Sequence, residues 1–206
     1  PKFASLIFLF RIYHELNISE IDSLNYIFQI VCAISLLVGV YGAITQKIIK
    51  RLLAFSSINH VGFILLGIMS YELMSEGTIF FYLIIYLITI FGIFTVILNL
   101  RSSEGELTKI SELNGLLFSS RSKSIAMLVF LFSLAGIPPF AGFFAKFFIL
   151  SASINEGLYV LSIIAVISSV IAAFYYLSVI KNIFFNNKEE ELLLDNNKIG
   201  SVIFIS

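Results

Sequence analysis

Leu134–Leu150 reads LAGIPPFAGFFAKFFIL, apolar almost throughout, with Lys146 as its one charged side chain. No helix runs unbroken through Pro138-Pro139, because proline lacks a backbone N–H and its ring collides with the preceding turn. A strongly hydrated ammonium in such a run either reaches a membrane interface or meets water and a partner inside the protein, since hydrocarbon solvates charge poorly. Lys146 stands six residues from Phe140 and seven from Ser153, far from both ends of its segment, which argues against a lysine that snorkels to an interface. Desolvation at that depth makes it a candidate for proton exchange. The rest of the chain is therefore read for protonatable groups at the same depth.

The 206 residues are 59% hydrophobic and 13% charged, with a mean hydropathy of +1.00. That leaves too little polar surface for a soluble globule, so the chain is a membrane protein. Lys+Arg and Asp+Glu are equal at 13, and nothing points to nucleic acid. Cys32 alone forms no internal disulfide. His14, His60 and Cys32 share no ligand spacing, so no metal is expected. No phosphate loop, nucleophile elbow or paired-carboxylate motif appears, and no cofactor is expected in this chain. Pro1 rather than Met comes first, without the order of a signal peptide, so the chain reads as mature or as a piece of something longer. Heavy use of Ile and Phe without any Trp suggests an A+T-rich coding genome such as an organelle's.

Working outward, Phe3–Tyr13 is an apolar half-span, since a bilayer core of ~30 Å needs roughly 20 helical residues. Residues 17–25 (NISEIDSLN) read as a loop. Tyr26–Thr45 is a full span on which Gly39 and Gly42 allow another helix to approach closely. Gln46–Arg51 (QKIIKR) is a basic connector, with Lys47, Lys50 and Arg51 as headgroup anchors. Leu52–Tyr71 is the next span, residues 71–77 (YELMSEG) an acidic turn, and Thr78–Leu100 a fourth span with hardly a polar group. Arg101–Lys123 is polar and mixed in charge, and its amphipathic middle, Leu107–Leu117, suits an interface. By the count of crossings, the two basic connectors share one side of the membrane. Ser124–Ser153 exceeds one crossing at ~1.5 Å per residue. The prolines divide it into either two short crossings or a crossing plus a broken helix. Leu158–Phe184 is a last span, with Tyr175, Tyr176 and Lys181 near one end as interfacial anchors. The expected organisation is a helical bundle over residues 1–185, then a polar connector and the start of a further helix over 186–206.

Ser56, Ser57, Asn59 and His60 are more polar residues than anchoring a span requires. If the helix enters near Lys50, His60 lies about 15 Å in, close to the midplane. Ser56 and Ser57 share its face. His60 is therefore either a structural histidine hydrogen-bonded to one of those serines or a proton carrier, since an unperturbed pKa of ~6.5 lets it pass a proton in either direction. Lys2 is either a terminal interfacial lysine or, following Pro1 at the head of a half-length helix, part of a broken span beside an ion site. Arg11, His14 and Glu15 end the first half-span at an interface, where His14 and Glu15 are also placed to feed protons from the surface.

PKFASLIFLFR, QKIIKRLLAFSSINHVGFILLG and SLAGIPPFAGFFAKFFIL, in this order and at these separations, resemble the antiporter-like membrane subunits of respiratory complex I (NADH:ubiquinone oxidoreductase). The second block is shared among the sister antiporter-like subunits, whereas the third, with lysine at its key site, favours the subunit 2 type and its carboxy-terminal portion. The resemblance implies an all-α, polytopic transmembrane bundle with broken helices. It also implies proton pumping coupled to quinone reduction through a midplane row in which Lys2, His60 and Lys146 occupy the lysine and histidine positions. The expected partners are the other membrane subunits of complex I and lipids, in a mitochondrial inner membrane or a bacterial plasma membrane. The family has helices before the position of Lys2, one bearing a key glutamate; either a separate chain supplies them, which is the favoured expectation, or they are lost and the half-channel is defective. The alternatives are a subunit of a multi-subunit cation/proton antiporter and a structural membrane subunit with a vestigial relay.

Overall fold

The computed structural model describes residues 2–17, 19, 21–70, 76–102, 105–106, 109–185 and 193–194. These are nearly all helical. α1 is Lys2–Glu15, α2 Asp22–Ile44, α3 Ile49–Met69 and α4 Glu76–Leu98. A single 3-10 turn, Ile110–Leu113, precedes the short α5 (Leu116–Ser119), α6 (Arg121–Ala135), α7 (Ala141–Asn155) and α8 (Tyr159–Phe185). Three short strands pair antiparallel in the order β2-β1-β3: β1 Leu100–Ser102, β2 Gly105–Glu106 and β3 Leu193–Leu194.

α2, α3, α4 and α8 are each long and apolar enough to cross a membrane. α6 and α7 have 15 residues apiece, or about 22 Å at ~1.5 Å per residue, short of a full crossing. The Ser124–Ser153 stretch is thus two half-length helices that part at the prolines. α3 is the inner helix: its mean hydropathy, 1.8, is the lowest of the four long helices, yet it is the most deeply buried. That inversion is expected in lipid, where the polar side chains go to the interior and outward faces are uniformly apolar. α2 lies closest to α3. A Cβ on Gly39 would overlap the Asn59 backbone and one on Gly42 the Phe55 ring, while Gly62 gives the same room to Leu36 from the other side. These are the small-residue contacts that let membrane helices pack without a hydrophobic drive between them.

Several boundaries differ from the sequence reading. α2 starts inside the expected loop, at Asp22, because an acidic side chain in the first turn suits the positive end of a helix. α3 takes in Lys50 and Arg51 from the expected connector. The amphipathic middle turns its apolar residues inward: Leu113 and Leu116 are fully buried against the bundle, while Phe118, just beyond it, is strongly exposed. The two basic connectors do meet at one end, where Ile110 N–H donates to the Lys47 carbonyl (2.9 Å). Tyr175 and Tyr176 are not interfacial anchors; both are buried, and Lys181 alone of that trio is exposed. Of the acidic turn expected at 71–77, residues 76 and 77 open α4 instead and 71–75 lie outside the described residues, as do Leu107 and, apart from β3, the connector and apolar end at 186–206.

Candidate functional site

In a continuing α6 the carbonyls of Leu134 and Ala135 would accept from the N–H groups of residues 138 and 139. Both are proline and have none. The helix closes instead through Gly136, whose φ of 80° is open to glycine. Gly136 N–H donates to Ser133 O and Ile137 N–H to Phe132 O, both at 3.1 Å. This is a Schellman closure, and it satisfies the carbonyls of Phe132 and Ser133 only. The two carbonyls stranded by the prolines are taken by Lys146, whose Nζ donates to Leu134 O (2.9 Å) and Ala135 O (3.2 Å). A cation there also suits the negative end of α6.

α7 reaches this position because Gly142 lets it press against α6: a Cβ there would overlap the Ser133 carbonyl, and the Gly142 N–H donates to Ser133 Oγ (3.3 Å). Nζ also stands 5.3 Å from the centre of the Phe63 ring, within cation–π range. At 5% exposure, Lys146 is buried in the bundle rather than turned to an interface.

His60 is buried midway along α3, between two phenols. Its Nδ1 is 2.7 Å from Tyr82 Oη on α4, and its Nε2 is a longer 3.5 Å from Tyr176 Oη on α8. Tyr176 Oη is in turn hydrogen-bonded to Ser56 Oγ, and the Tyr86 ring covers the imidazole at 4.6 Å. The expected serine partners do not bond His60 directly. Ser56 reaches it through Tyr176, while Ser57 Oγ donates to the Ala54 carbonyl (2.6 Å).

His60 and Lys146 line one cavity together with Tyr82, Tyr86, Thr89 and Ser133. It has room for about one water. Lys2 opens α1, and its side chain lies outside the described residues. The neighbouring Phe3 packs on Tyr86 (5.8 Å between ring centres), so the head of α1 lies one aromatic layer from His60. At the far end of α1, His14 packs edge-on against Phe10 and Tyr13.

Sequence reasoning missed the tyrosines. Tyr82, Tyr86 and Thr89 recur at i, i+4 and i+7, one face of a helix, and that spacing was the available signal in a span read as having hardly a polar group. Nothing local marks Tyr176, which reaches His60 only because α8 folds back onto α3. Among the described residues no group of three or more His, Cys, Asp or Glu is placed to hold a metal ion. Cys32 donates to the Gly62 carbonyl (3.3 Å) where α2 meets α3.

The model of a family described as "NADH:quinone oxidoreductase/Mrp antiporter, TM" matches residues 2–172. NADH-quinone oxidoreductase subunit N of Hirschia baltica is 41% identical over 172 residues, which are 84% of this chain and 36% of that protein. A chain of respiratory complex I from Thermus thermophilus superposes with a TM-score of 0.74 at 27% identity, covering 87% of this chain and 42% of its own. A chain of the Mrp complex from Dietzia superposes at 0.78 with 25% identity, covering 90% and 34%. The chain spans about a third of the length of the curated relatives it matches.

Proposed function

Because the chain belongs to the NADH:quinone oxidoreductase/Mrp antiporter transmembrane family, we propose that it is a proton-translocating membrane subunit of respiratory complex I, of the subunit 2 type and corresponding to its carboxy-terminal portion. The observation that carries the proposal is the pairing of Lys146 and His60 on one small cavity inside the bundle. Both can gain and release a proton, and space for a water joins them where hydrocarbon alone would block transfer. The carbonyls of Leu134 and Ala135 hold the ammonium in place. Release of its proton weakens that hold, because a neutral amine is the poorer donor.

In this reading Lys2, His60 and Lys146 pass protons laterally, and the free energy comes from electron transfer between NADH and quinone elsewhere in the assembly. The chain is then part of an oxidoreductase without carrying a redox site of its own. Its partners are the other membrane subunits of complex I, the surrounding lipid and, as the resemblance implies, helices bearing the family's key glutamate, whichever chain carries them. A mitochondrial inner membrane suits the composition, rich in Ile and Phe and without Trp; a bacterial plasma membrane suits the relatives named above.

The test is Lys146→Ala in the assembled complex. Proton pumping is expected to fall at least tenfold while assembly is largely retained. Lys146→Gln, which keeps donors for the two carbonyls, is expected to lose pumping equally, and normal pumping in both variants would overturn the relay.

A second reading, a subunit of a cation/proton antiporter complex, is favoured by the superposition on the Mrp chain. Purification decides between them: co-isolation with quinone-reducing subunits supports complex I, and sodium export without them supports the antiporter.

A further inference from the structure

We propose that Tyr82 is itself a proton carrier, handing protons between His60 Nδ1 and a water in the cavity that faces Lys146. The proposal rests on the relay reading and adds to it a residue from α4 that the lysine and histidine positions do not include.

The geometry is specific to the hydroxyl. Tyr82 Oη stands 2.7 Å from Nδ1, the distance of a well-formed hydrogen bond, and the same side chain lines the cavity that Lys146 lines from α7. It is 3% exposed, so no bulk solvent competes for the hydroxyl. The cavity has room for about one water, and a water there gives the path the order lysine, water, phenol, imidazole.

The other imidazole nitrogen faces Tyr176, which is bonded to Ser56. In neutral histidine one ring nitrogen donates and the other accepts, so the chain Ser56, Tyr176, His60, Tyr82, cavity has two coherent polarities. In one, every hydrogen bond points toward the cavity; in the other, every bond points away from it. Passage of a proton converts one into the other.

The transfer step balances. With the bonds pointing away from the cavity, the Lys146 ammonium gives a proton to the water, the water gives one of its protons to Tyr82 Oη, and the phenol's original proton moves to His60 Nδ1. Lysine ends as a neutral amine, water and phenol are regenerated, and the imidazole carries the single positive charge with which the step began. Tyr86, whose ring covers His60, serves as a wall of the site.

The experiment is Tyr82→Phe in the assembled complex in vesicles, which keeps the ring and its packing and removes only the hydroxyl. Proton pumping is expected to fall about tenfold or more, with electron transfer from NADH to a soluble artificial acceptor unchanged. The second variant is site-specific replacement of Tyr82 by 3,5-difluorotyrosine, which keeps the hydroxyl but makes it more acidic. It is expected to shift the pH profile of pumping, a readout that a merely structural tyrosine would not move. The groups facing that hydroxyl are His60 from α3, Lys146 across the cavity, Tyr86 from its own helix and Tyr175 from α8. Normal pumping in Tyr82→Phe alongside loss in Lys146→Ala would overturn the role of Tyr82 and leave the relay standing; normal pumping in both would overturn both. If Tyr82→Phe fails to assemble, the fluorinated protein decides, and an unchanged pH profile there counts against the proposal.

Discussion

Lys146 does two things at once. It supplies the donors that two prolines withhold from Leu134 and Ala135, and it presents a protonatable amine to the cavity. Capping alone explains why a lysine is tolerated at this depth, since an unsatisfied buried carbonyl costs roughly 1–3 kcal/mol. It does not explain why the cavity beyond the amine is lined by His60 and a phenol. Asn59, one residue before His60, is the opposite case. It is fully buried on the α2 side of α3, and neither of its amide atoms has a hydrogen-bond partner among the described residues. Asn59→Leu, which has the same branched outline, is therefore expected to leave thermal stability unchanged or to raise it by about 1 kcal/mol. A thermal melt of the detergent-solubilised protein measures this, and a clear loss of stability would mean that the amide is hydrogen-bonded within the assembly.

The element that matters most is the break between α6 and α7. Its existence was legible in the sequence, because Pro138 and Pro139 forbid a continuous helix wherever they fall. Its shape was not. The Schellman closure at Gly136 and the press of Gly142 on Ser133 depend on how the two half-helices fold back, and that is set by packing against α3 and α4. Gly142 gives the sharper test. A methyl group there meets a backbone oxygen that no rotamer change can move, so Gly142→Ala is expected to destabilise by about 1–3 kcal/mol and to lower the yield of assembled complex. Gly157→Ala has open space around its Cβ but a φ of 78°, so its cost is limited to backbone strain of about 1–2 kcal/mol. A yield for Gly142→Ala equal to or above that of Gly157→Ala would show that the two half-helices do not meet as described.

For the whole molecule, burial keeps the polar residues of α3 inside an otherwise apolar core and turns apolar faces of the long helices outward. α3 is buried nearly all round, while α2 turns Ile27, Ile30, Val31, Ile34, Leu37, Val38 and Tyr41 outward. An outer face of this kind suits lipid or a neighbouring membrane subunit, and either surrounding rejects charge. Ile34, near the middle of α2 and 54% exposed, is the position to test. Ile34→Arg is expected to cost about 2.5–3.5 kcal/mol in insertion and to deplete the chain from membranes, as measured by immunoblot of membrane fractions. Undiminished abundance would mean that this face meets water.

The sequence alone determined the class of protein, the long spans, the prolines' break and the unusual residues Lys146 and His60, because hydropathy, helix-breaking and the scarcity of charge in lipid are properties of the chain read locally. It also marked Gly39 and Gly42 as points of close approach. Tertiary structure decided what those residues touch. Tyr82 reaches His60 from the next helix and Tyr176 from the last one, and Lys146 finds the carbonyls stranded by Pro138 and Pro139 only because α7 turns back on α6. Tyrosine is at home at a membrane interface or deep inside a bundle, so residue type could not choose between them; the packing of α8 against α3 did.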